Sequence, residues 1–328
     1  MSSVTQADPA KQAGSASPLT RRRPLGDRGF QILALASGLL VLVILVLIAV
    51  STTQQSTDWF SKAGVKGIFS TDWDPATNHF GAMAFVYGTV ITSVIAIIIA
   101  VPVSVAVALL LTEVVPRRWA RPIVYLIDLL AVVPSVVWGL WGILVFAPWI
   151  QSSVYSHIAS AVNGIPLLGS LFGPPVSGAS FFTAGIILAV MITPIVTSLS
   201  REVIATVPVI DKEGAYALGA TRWEMIRGAV WPHSQNGVVG AVLLGLGRAM
   251  GETIAAALVI GSSATVTSRL FATGYSMPAV IANQFPEAAG EWRAALIGMG
   301  VLLFALTIIV NLAARGIVER STRRMRGA

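Results

Sequence analysis

The sequence contains no cysteine, and only 11% of its 328 residues are charged. The absence of cysteine excludes disulfides, cysteine nucleophiles and cysteine metal sites. Soluble domains carry about 25% charged residues, so this shortage of charge excludes an ordinary soluble fold. The sequence also lacks the G-x-x-x-x-G-K-[S/T] and H-E-x-x-H patterns. It therefore carries neither a nucleotide-binding P-loop nor the metal-binding helix of a zinc protease.

Long apolar runs make up most of what is present. Hydrophobic residues account for 55% of the chain, and six runs have about the 20 residues needed to cross a bilayer. The sequence therefore predicts an all-α, polytopic membrane protein with six transmembrane helices. Pro102 and Pro134 are expected to kink the second and third helices. The six runs are Ile32–Val50, Met83–Leu111, Ile123–Ile150, Phe181–Leu199, Gly237–Gly261 and Ala294–Ala314.

The two ends of the chain differ in composition from the apolar region between them. Residues 1–29 are rich in Ser, Ala, Gln and Pro and are expected to form a disordered cytoplasmic tail. A six-span domain follows over residues 30–315, with a cytoplasmic loop at 201–236, and residues 316–328 form a basic cytoplasmic tail. The first apolar run is longer than the 7–15 residues typical of a signal-peptide core, so an uncleaved anchor is favoured over a cleaved signal.

The basic residues are unevenly divided between the two sides of the predicted membrane. Seventeen of the 22 Lys and Arg residues lie in the N-terminal segment, the loops after the second and fourth runs and the C-terminal segment. Only four lie in the alternate segments. Cytoplasmic segments carry the excess of Lys and Arg, so both termini are predicted to be cytoplasmic. In the outward loops, Trp59 and Trp73 are expected to anchor at lipid headgroups or to dock a partner.

Local rules predict two short helices in the cytoplasmic segment DKEGAYALGATRWEMIRGAVWP. Asp211 is a candidate N-cap of the first helix, and Gly219 stands where a residue with positive φ would end it. Thr221 and Glu224 form a capping box that starts the second helix. Pro232 ends that helix or begins the next span. Such a helix–turn–helix suits docking of another protein, and an ordinary interfacial loop is the alternative that local rules leave open.

The fifth run contains two ionisable residues, Arg248 and Glu252, near its middle. Four residues apart on a helix, they would share one face. An ionisable side chain at a helix centre costs about 2.5–3.5 kcal/mol on insertion scales, so it usually faces a bundle interior or a polar pathway. One interpretation is an ion pair that only fixes helix packing. The other is an anion pathway in which the planar guanidinium of Arg248 binds phosphate oxygens and Glu252 neutralises it when no anion is bound.

Small and hydroxyl residues add to this pattern. Gly247 and Gly251 form a G-x-x-x-G pattern, which predicts close helix approach within the chain or across a dimer. Ser135 and Thr193 each lie beside a helix proline and are candidates to hydrogen-bond a passing anion. A hydrogen bond to a local carbonyl is the commoner role for Ser and Thr at such positions. The three histidines show no metal-ligand spacing, so no metal site is predicted.

The cytoplasmic segment resembles the EAA loop of ABC-importer permeases. In that loop E-A-A is followed after three residues by Gly, and after nine more by I-x-L-P. Glu213, Gly214, Ala215, Gly219 and Pro232 fall in this register, although Gly214 replaces the first Ala and two positions before the proline also depart from the pattern. The resemblance implies that these residues form a coupling helix that docks into a separate cytoplasmic ATPase.

Three further stretches resemble the permeases of the phosphate-specific transport family, the PstC type more than the PstA type. They are VVPSVVWG, TPIVTSLSRE and GLGRAMGET, which contain Ser135, Thr193 and the pair Arg248 and Glu252. The resemblance covers most of residues 80–315. It implies a type I ABC-importer permease fold, also called MetI-like, in a bacterial plasma membrane. It also implies inorganic phosphate as the cargo and places Arg248 and Glu252 at the charged positions of the pathway.

The same resemblance implies a set of partners. They are a PstA-like second permease, a dimer of PstB-like ATPases and a PstS-like extracytoplasmic phosphate-binding protein. ATP and Mg²⁺ would be bound by the ATPases, and this chain would be a non-catalytic pore subunit. Three rival functions stay open: a permease for another oxyanion such as sulfate or molybdate, a self-sufficient anion channel or carrier, and an intramembrane enzyme.

Overall fold

The computed structural model describes residues 25–162, 164–174 and 177–326. Apart from one short hairpin, the regular structure in this part of the chain is helical. The predicted all-α class is therefore confirmed. By contact density the chain divides into two units, Met1–Val50 and Ser51–Ala328.

The first unit consists, in its described part, of helix α1. This helix covers Leu25–Gln55 and so extends into the start of the second unit. Its apolar side chains from Ile32 to Val50 are mostly exposed, as expected of a helix whose surroundings are lipid. Residues 1–29 were predicted to form a disordered tail. Residues 1–24 lie outside the described residues, and residues 25–29 belong to α1.

The second unit begins with helix α2, Thr57–Ile68, and a two-stranded antiparallel hairpin in which Trp73 pairs with Phe80. The strands are β1, Trp73–Asp74, and β2, His79–Phe80. Thirteen helices follow along the described residues: α3 Met83–Leu109, α4 Arg117–Val132, α5 Ser135–Trp141, α6 Ala147–Ile150, α7 Ser156–Ala161, α8 Pro166–Leu171, α9 Phe181–Ala205, α10 Val209–Ala217, α11 Arg222–Met225, α12 Trp231–Gly251, α13 Ile254–Val259, α14 Met277–Gln284 and α15 Gly290–Arg326.

Short π-helical segments lengthen or join several of these helices. Leu110–Val114 extends α3, Gly142–Phe146 and Gln151–Tyr155 join α5, α6 and α7 into one helical rod, and Ile226–Val230 joins α11 to α12. The basic C-terminal segment predicted as a tail continues α15 as far as Arg326.

Five helical segments of the described chain are long and apolar enough to cross a membrane. Four of them match the first, second, fourth and sixth predicted runs. Pro102 lies inside the second of these without interrupting its helix. The five segments are Gly29–Gln55, Met83–Val114, Ser135–Ala161, Phe181–Ala205 and Gly290–Gly316.

The third predicted span, Ile123–Ile150, is wrong in its bounds. The helix breaks between α4 and α5, and the apolar segment long enough to cross runs from Ser135 to Ala161. Pro134 disfavours helical backbone in the residue before it, and Val133 accordingly leaves the helical region with φ −59° and ψ 125°. A full break thus replaces the expected kink.

The fifth predicted span, Gly237–Gly261, is not one continuous helix. Helix α12 ends at Gly251, Glu252 is extended with φ −70° and ψ 125°, and α13 begins only at Ile254. Gly and Thr are weak helix formers, so the sequence Gly-Glu-Thr yields easily to a break. Hydropathy alone does not register such a break, because the residues on both sides of it are apolar.

Helices α3 and α9 form the centre of the second unit and run parallel. Gly88, near the start of α3, lies against Phe181 at the start of α9, and Gly185 packs against Ile95 further along. Further along, Ser104 Oγ donates a hydrogen bond to the carbonyl oxygen of Thr193 at 3.1 Å. The two helices therefore present their C-terminal ends at the same end of the bundle.

Helix α12 packs antiparallel on α9 through small residues. Gly237 lies against Val203, and two turns later Gly245 lies against Val196. A Cβ atom at Gly245 would collide with the Val196 side chain, so the absence of a side chain sets this close approach.

The outward aromatic residues do not act as exposed anchors. Trp59 is only 1% exposed, its indole N–H donates to the carbonyl oxygen of Phe80 at 3.1 Å, and its ring packs against Gly298. Trp73 is half-buried and donates to Gln284 Oε1 at 3.0 Å. The expectation of headgroup anchoring or docking is wrong for Trp59, because a glycine distant in sequence leaves room for its ring.

Candidate functional site

Arg248 lies in the last turn of α12 and is exposed. The next residue, Ala249, is buried in a cluster with Leu188 and Ile192, which are near the middle of α9. The backbone of Arg248 therefore lies at the level of the middle of α9, and its guanidinium projects from there. A charge at that depth needs a polar or protein-lined surrounding in the assembled membrane protein.

Glu252 does not share a helix face with Arg248, so that prediction is wrong. The helix ends at Gly251, and the extended backbone of Glu252 redirects its side chain towards α13, where Oε1 accepts a hydrogen bond from the Ala255 N–H at 3.2 Å. A carboxylate at this position stabilises the start of a helix. Among the described residues, no ion pair joins Arg248 to Glu252.

Helix α12 has a packed glycine face and an open one. Gly237 and Gly245 are occupied by α9, whereas no atom lies within 4 Å of the position that a Cβ would take at Gly240, Gly247 or Gly251. The G-x-x-x-G pattern at Gly247 and Gly251 is therefore not used within the described part of this chain. Arg248 and its glycine neighbours form a surface that is open towards whatever lies beside the chain.

Ser135 is the first residue of α5 and is half-buried. Helix α5 packs parallel to α13, since Gly139 contacts Ala255 and Gly142 contacts Val259. Ser135 lies one helical turn before Gly139, and Glu252 lies about one turn before Ala255. The same register therefore places Ser135 at the level of Glu252. The two helix breaks, before α5 and before α13, therefore lie side by side.

Trp138 is a polar group of this region that the sequence did not single out. Its ring packs against the buried cluster that contains Ala249 and Ile192. Its indole Nε1 is buried and has no hydrogen-bond partner among the described residues. The only sequence signal was its place in VVPSVVWG, where a tryptophan reads as an interface residue.

Thr193 lies in the middle of α9, and its hydroxyl is already engaged. It donates to the carbonyl oxygen of Ala189 at 2.7 Å, one turn earlier on the same helix. Its hydrogen is therefore not available to an anion in this conformation. This geometry matches the local-carbonyl alternative considered for Thr193.

The loop that was predicted to be cytoplasmic has the two predicted helices, α10 and α11. Gly219 has φ 84° and ends the first. The capping box is present: Thr221 N–H donates to Glu224 Oε2 at 2.8 Å, and Glu224 N–H donates to Thr221 Oγ1 at 3.4 Å. The hydrogen bonds that the Glu224 carboxylate accepts from the Thr221 N–H and from the Thr221 hydroxyl hold the pKa of Glu224 below its ordinary value. Asp211 is not the N-cap, because α10 begins directly after Pro208 and places Asp211 in its first turn.

The loop has an anchored side and an exposed side. Ala215 packs against the buried cluster of Ile204 and Val230, and Lys212 Nζ bonds Glu113 Oε1 at 2.6 Å. On the other side Glu213, Gly214, Gly219 and Pro232 are exposed. The apolar side chains there are exposed as well, with Leu218 at 91%. Sequence reasoning did not identify Leu218 or the Lys212–Glu113 pair. The exposed side chains that surround the predicted coupling residues are Val209, Ile210, Tyr216, Leu218 and Trp223.

Comparison with known proteins places this geometry among transporter subunits. Residues 85–327 match the family described as "Binding-protein-dependent transport system inner membrane component". The chain is 42% identical to the phosphate transport system permease protein PstC of Mesorhizobium japonicum, over 99% of each chain. It is 41% identical to that of Xylella fastidiosa, over 91% of this chain and 92% of the relative. It is 40% identical to the PstC protein of Haemophilus influenzae, over 86% of this chain and 90% of the relative.

A solved structure supports the fold. The chain superimposes on part of a bacterial alginate ABC transporter in complex with an alginate pentasaccharide-bound periplasmic protein, with a TM-score of 0.60. The match covers 92% of this chain and 98% of that chain at 14% identity. The likeness confirms the ABC-importer permease architecture that was expected from the resemblance.

Proposed function

The chain belongs to the family of binding-protein-dependent transport system inner membrane components, and on this basis we propose that it is the permease subunit of an ATP-driven importer of inorganic phosphate. Relatives named as phosphate transport system permease proteins are 40–42% identical over most of its length. The chain is a multi-pass inner-membrane protein with no nucleotide-binding motif of its own. The distribution of Lys and Arg supports cytoplasmic termini.

The observation that carries the proposal is the guanidinium of Arg248, which is exposed at half the depth of the bundle and forms no ion pair among the described residues. A guanidinium stays charged and offers a planar fork that matches two phosphate oxygens. The open glycine face around it leaves room for an anion and for a second permease. The pathway would thus lie between this chain and a PstA-like partner.

Glu252 and Ser135 lie at one level beside the paired helix breaks. Glu252 Oε1 accepts a hydrogen bond from the Ala255 N–H, and Oε2 would accept a hydrogen bond from the P–O–H group of a protonated phosphate. A sulfate dianion has no such proton. Ser135 at the start of α5 offers a hydroxyl at the same level. The three side chains together favour an anion that both accepts and donates hydrogen bonds.

Transport would be driven through the cytoplasmic loop. Its exposed side, with Glu213, Gly214 and Leu218, would fit a groove in a PstB-like ATPase that binds ATP and Mg²⁺. Its other side is tied to α3 by the Lys212–Glu113 bond. Movement of the ATPases would therefore reach the transmembrane helices directly. A PstS-like binding protein would deliver phosphate at the opposite side.

Uptake of radiolabelled phosphate by cells that depend on this permease tests the proposal. Hydrogen bonds to charged groups contribute about 1.5–3 kcal/mol, so Arg248→Gln should lower uptake roughly ten- to a hundredfold at equal membrane abundance. Arg248→Lys keeps the positive charge but lacks the planar pair of N–H donors, so its phosphate uptake should lie between that of Arg248→Gln and that of the parent. Arg118→Gln, an exposed arginine at the start of α4, is the control and should transport normally.

Two results would contradict the proposal. One is unchanged phosphate uptake by Arg248→Gln at normal abundance. The other is competition by excess sulfate or molybdate that equals competition by unlabelled phosphate, which would instead indicate a permease for another oxyanion. Phosphate flux into liposomes that contain this chain alone would indicate a self-sufficient carrier.

A further inference from the structure

An open pocket of about 540 Å³ lies at the end of the bundle where α3 and α9 end. Its walls come from four places: the π-helical end of α3, the first two turns of α4, the C-terminal end of α9 and the start of α10. Leu111 and Val207, which are 6% and 3% exposed, form part of an apolar floor. Four basic side chains also line it: Arg117, Arg121, Arg201 and Lys212.

The positive charge of three of these side chains is not compensated within the described chain. Lys212 is neutralised by Glu113 at 2.6 Å. Arg117, Arg121 and Arg201 take part in no ion pair among the described residues, and no Asp or Glu lines the pocket. We call this feature the three-arginine pocket. Three like charges around one cavity repel each other and create a local field that attracts anions.

The three arginines reach the pocket from two helices, and two of them, Arg117 and Arg121, are exposed. Arg117 and Arg121 are four residues apart on α4 and so lie on one face of that helix. Arg201 approaches from a different helix and is half-buried. Tyr125, at the rim, adds a hydroxyl that has no hydrogen-bond partner in the described structure. Guanidinium groups bind phosphate oxygens in bidentate pairs, which adds geometric selectivity to charge attraction.

We propose that the three-arginine pocket binds a phosphate group. Two sources share this chemistry. One is the headgroup of an anionic phospholipid, which suits a basic pocket between membrane helices with an apolar floor. The other is inorganic phosphate that has reached the inner side. Placement of the pocket on the cytoplasmic side rests on the proposed function, whereas the binding itself does not.

Occupancy of the pocket would act on the coupling loop. Lys212 lines the pocket, belongs to α10 and forms the bond that ties this helix to α3. An anion bound among the arginines would compete with Glu113 for the Lys212 ammonium and would draw α10 towards α4. The pocket therefore links a bound phosphate group to the position of the helix that contacts the ATPase.

The test uses the assembled, delipidated transporter with two probes. Native mass spectrometry measures retention of phosphatidylglycerol and of phosphatidylcholine. Equilibrium dialysis measures binding of radiolabelled inorganic phosphate in an Arg248→Gln background, so that the pathway does not contribute. The pocket variant is Arg121→Gln/Arg201→Gln, and the matched control is Arg118→Gln, which changes an arginine of α4 that does not line the pocket.

We expect one of the probes to bind the parent and the Arg118→Gln control saturably, and the pocket variant at least tenfold more weakly. Selective loss of phosphatidylglycerol identifies the lipid as the source, and loss of inorganic phosphate identifies the free anion. If the pocket variant is unstable, Arg121→Lys/Arg201→Lys replaces it. This variant keeps the positive charges but loses the bidentate donors, so it should bind the same probe several-fold more weakly than the parent.

The proposal is overturned if neither probe binds the parent, or if the pocket variants bind as tightly as the Arg118→Gln control. Failure of the proposed function would be seen separately, as normal phosphate uptake by Arg248→Gln with all three pocket arginines intact.

Discussion

At the scale of single residues, the separation of Arg248 from Glu252 determines what each side chain can do. An ion pair between them would have satisfied both charges and left little for a ligand. Instead one carboxylate oxygen of Glu252 accepts a hydrogen bond from the Ala255 N–H. Arg248 lies between Gly247 and Gly251, on a side of α12 that the described residues leave open. In the proposed transporter, a second permease or a bound anion would offset the cost of holding a guanidinium at this depth.

Glu252→Gln should narrow the preference for phosphate over sulfate. The amide oxygen can still accept the Ala255 N–H, so we expect normal abundance, but an N–H donor replaces the second carboxylate oxygen. A protonated phosphate then loses an acceptor, while sulfate gains a donor. Excess sulfate should inhibit phosphate uptake by the variant at about tenfold lower concentration than in the parent, the ratio that corresponds to about 1.4 kcal/mol.

The control for this experiment is Glu202→Gln, since Glu202 is exposed beyond the middle of α9. It should leave the sulfate response unchanged. An unaltered sulfate response in Glu252→Gln, with phosphate uptake intact, would remove Glu252 from the selectivity site.

At the scale of the elements, the segment of α10 and the residues after it, predicted to be cytoplasmic, has two different sides. The inner face is held by Ala215 and Lys212, and the outer face presents Leu218, which is 91% exposed. This large apolar side chain, next to the positive-φ Gly219, is left almost fully exposed by the described part of the chain. Such a side chain is typical of the anchor of a protein interface.

Leu218→Asp should therefore weaken binding of the ATPase. A charged side chain in an apolar groove has to be desolvated without a partner, so recovery of ATPase with affinity-tagged permease should fall at least tenfold. Val266→Asp is the matched control, because Val266 is an exposed apolar residue, 43% exposed, on a loop near the opposite end of α9. Equal ATPase recovery from both variants would contradict a docking role for Leu218.

At the scale of the whole molecule, the Lys212–Glu113 bond connects α10 to the π-helical end of α3, which belongs to the central helix pair. Their side chains are 18% and 6% exposed, so the charges are largely shielded from water. Removing one partner from a buried ion pair typically costs about 3–5 kcal/mol, because the other charge stays buried. Replacing both partners costs much less.

Lys212→Met alone should therefore lower the thermal unfolding midpoint of the purified protein, whereas Glu113→Gln/Lys212→Met should recover most of the loss. If the bond also transmits movement, the double variant should hydrolyse ATP with its partners while phosphate uptake falls. Equal unfolding midpoints for the single variant and the parent would show that the pair contributes no net stability.

The orientation of the molecule can be tested directly because the chain has no cysteine of its own. Ala76 and Asp211 are exposed, the first in the β1–β2 turn and the second in α10. We expect Ala76→Cys to react with a membrane-impermeant maleimide in intact cells. Asp211→Cys should react only after the membrane is permeabilised. The reverse labelling pattern would contradict cytoplasmic termini.

Features that depend on interactions over a few residues could be predicted from the sequence. Apolar runs predicted the membrane class, and four of the six predicted spans coincide with long apolar helices. The positive φ of Gly219 and the Thr221–Glu224 capping box were also predictable, since each involves backbone groups no more than three residues apart.

The positions of the helix breaks and the contacts between distant side chains depend on the tertiary packing instead. The break at Glu252, the burial of Trp59 against Gly298 and the Lys212–Glu113 bond each depend on residues that are distant in sequence or on a packing partner. Hydropathy and local helix rules average over such contacts, whereas a close approach between helices depends on the exact position of single glycines. The three-arginine pocket was unpredictable for the same reason, because its walls come from four separate elements.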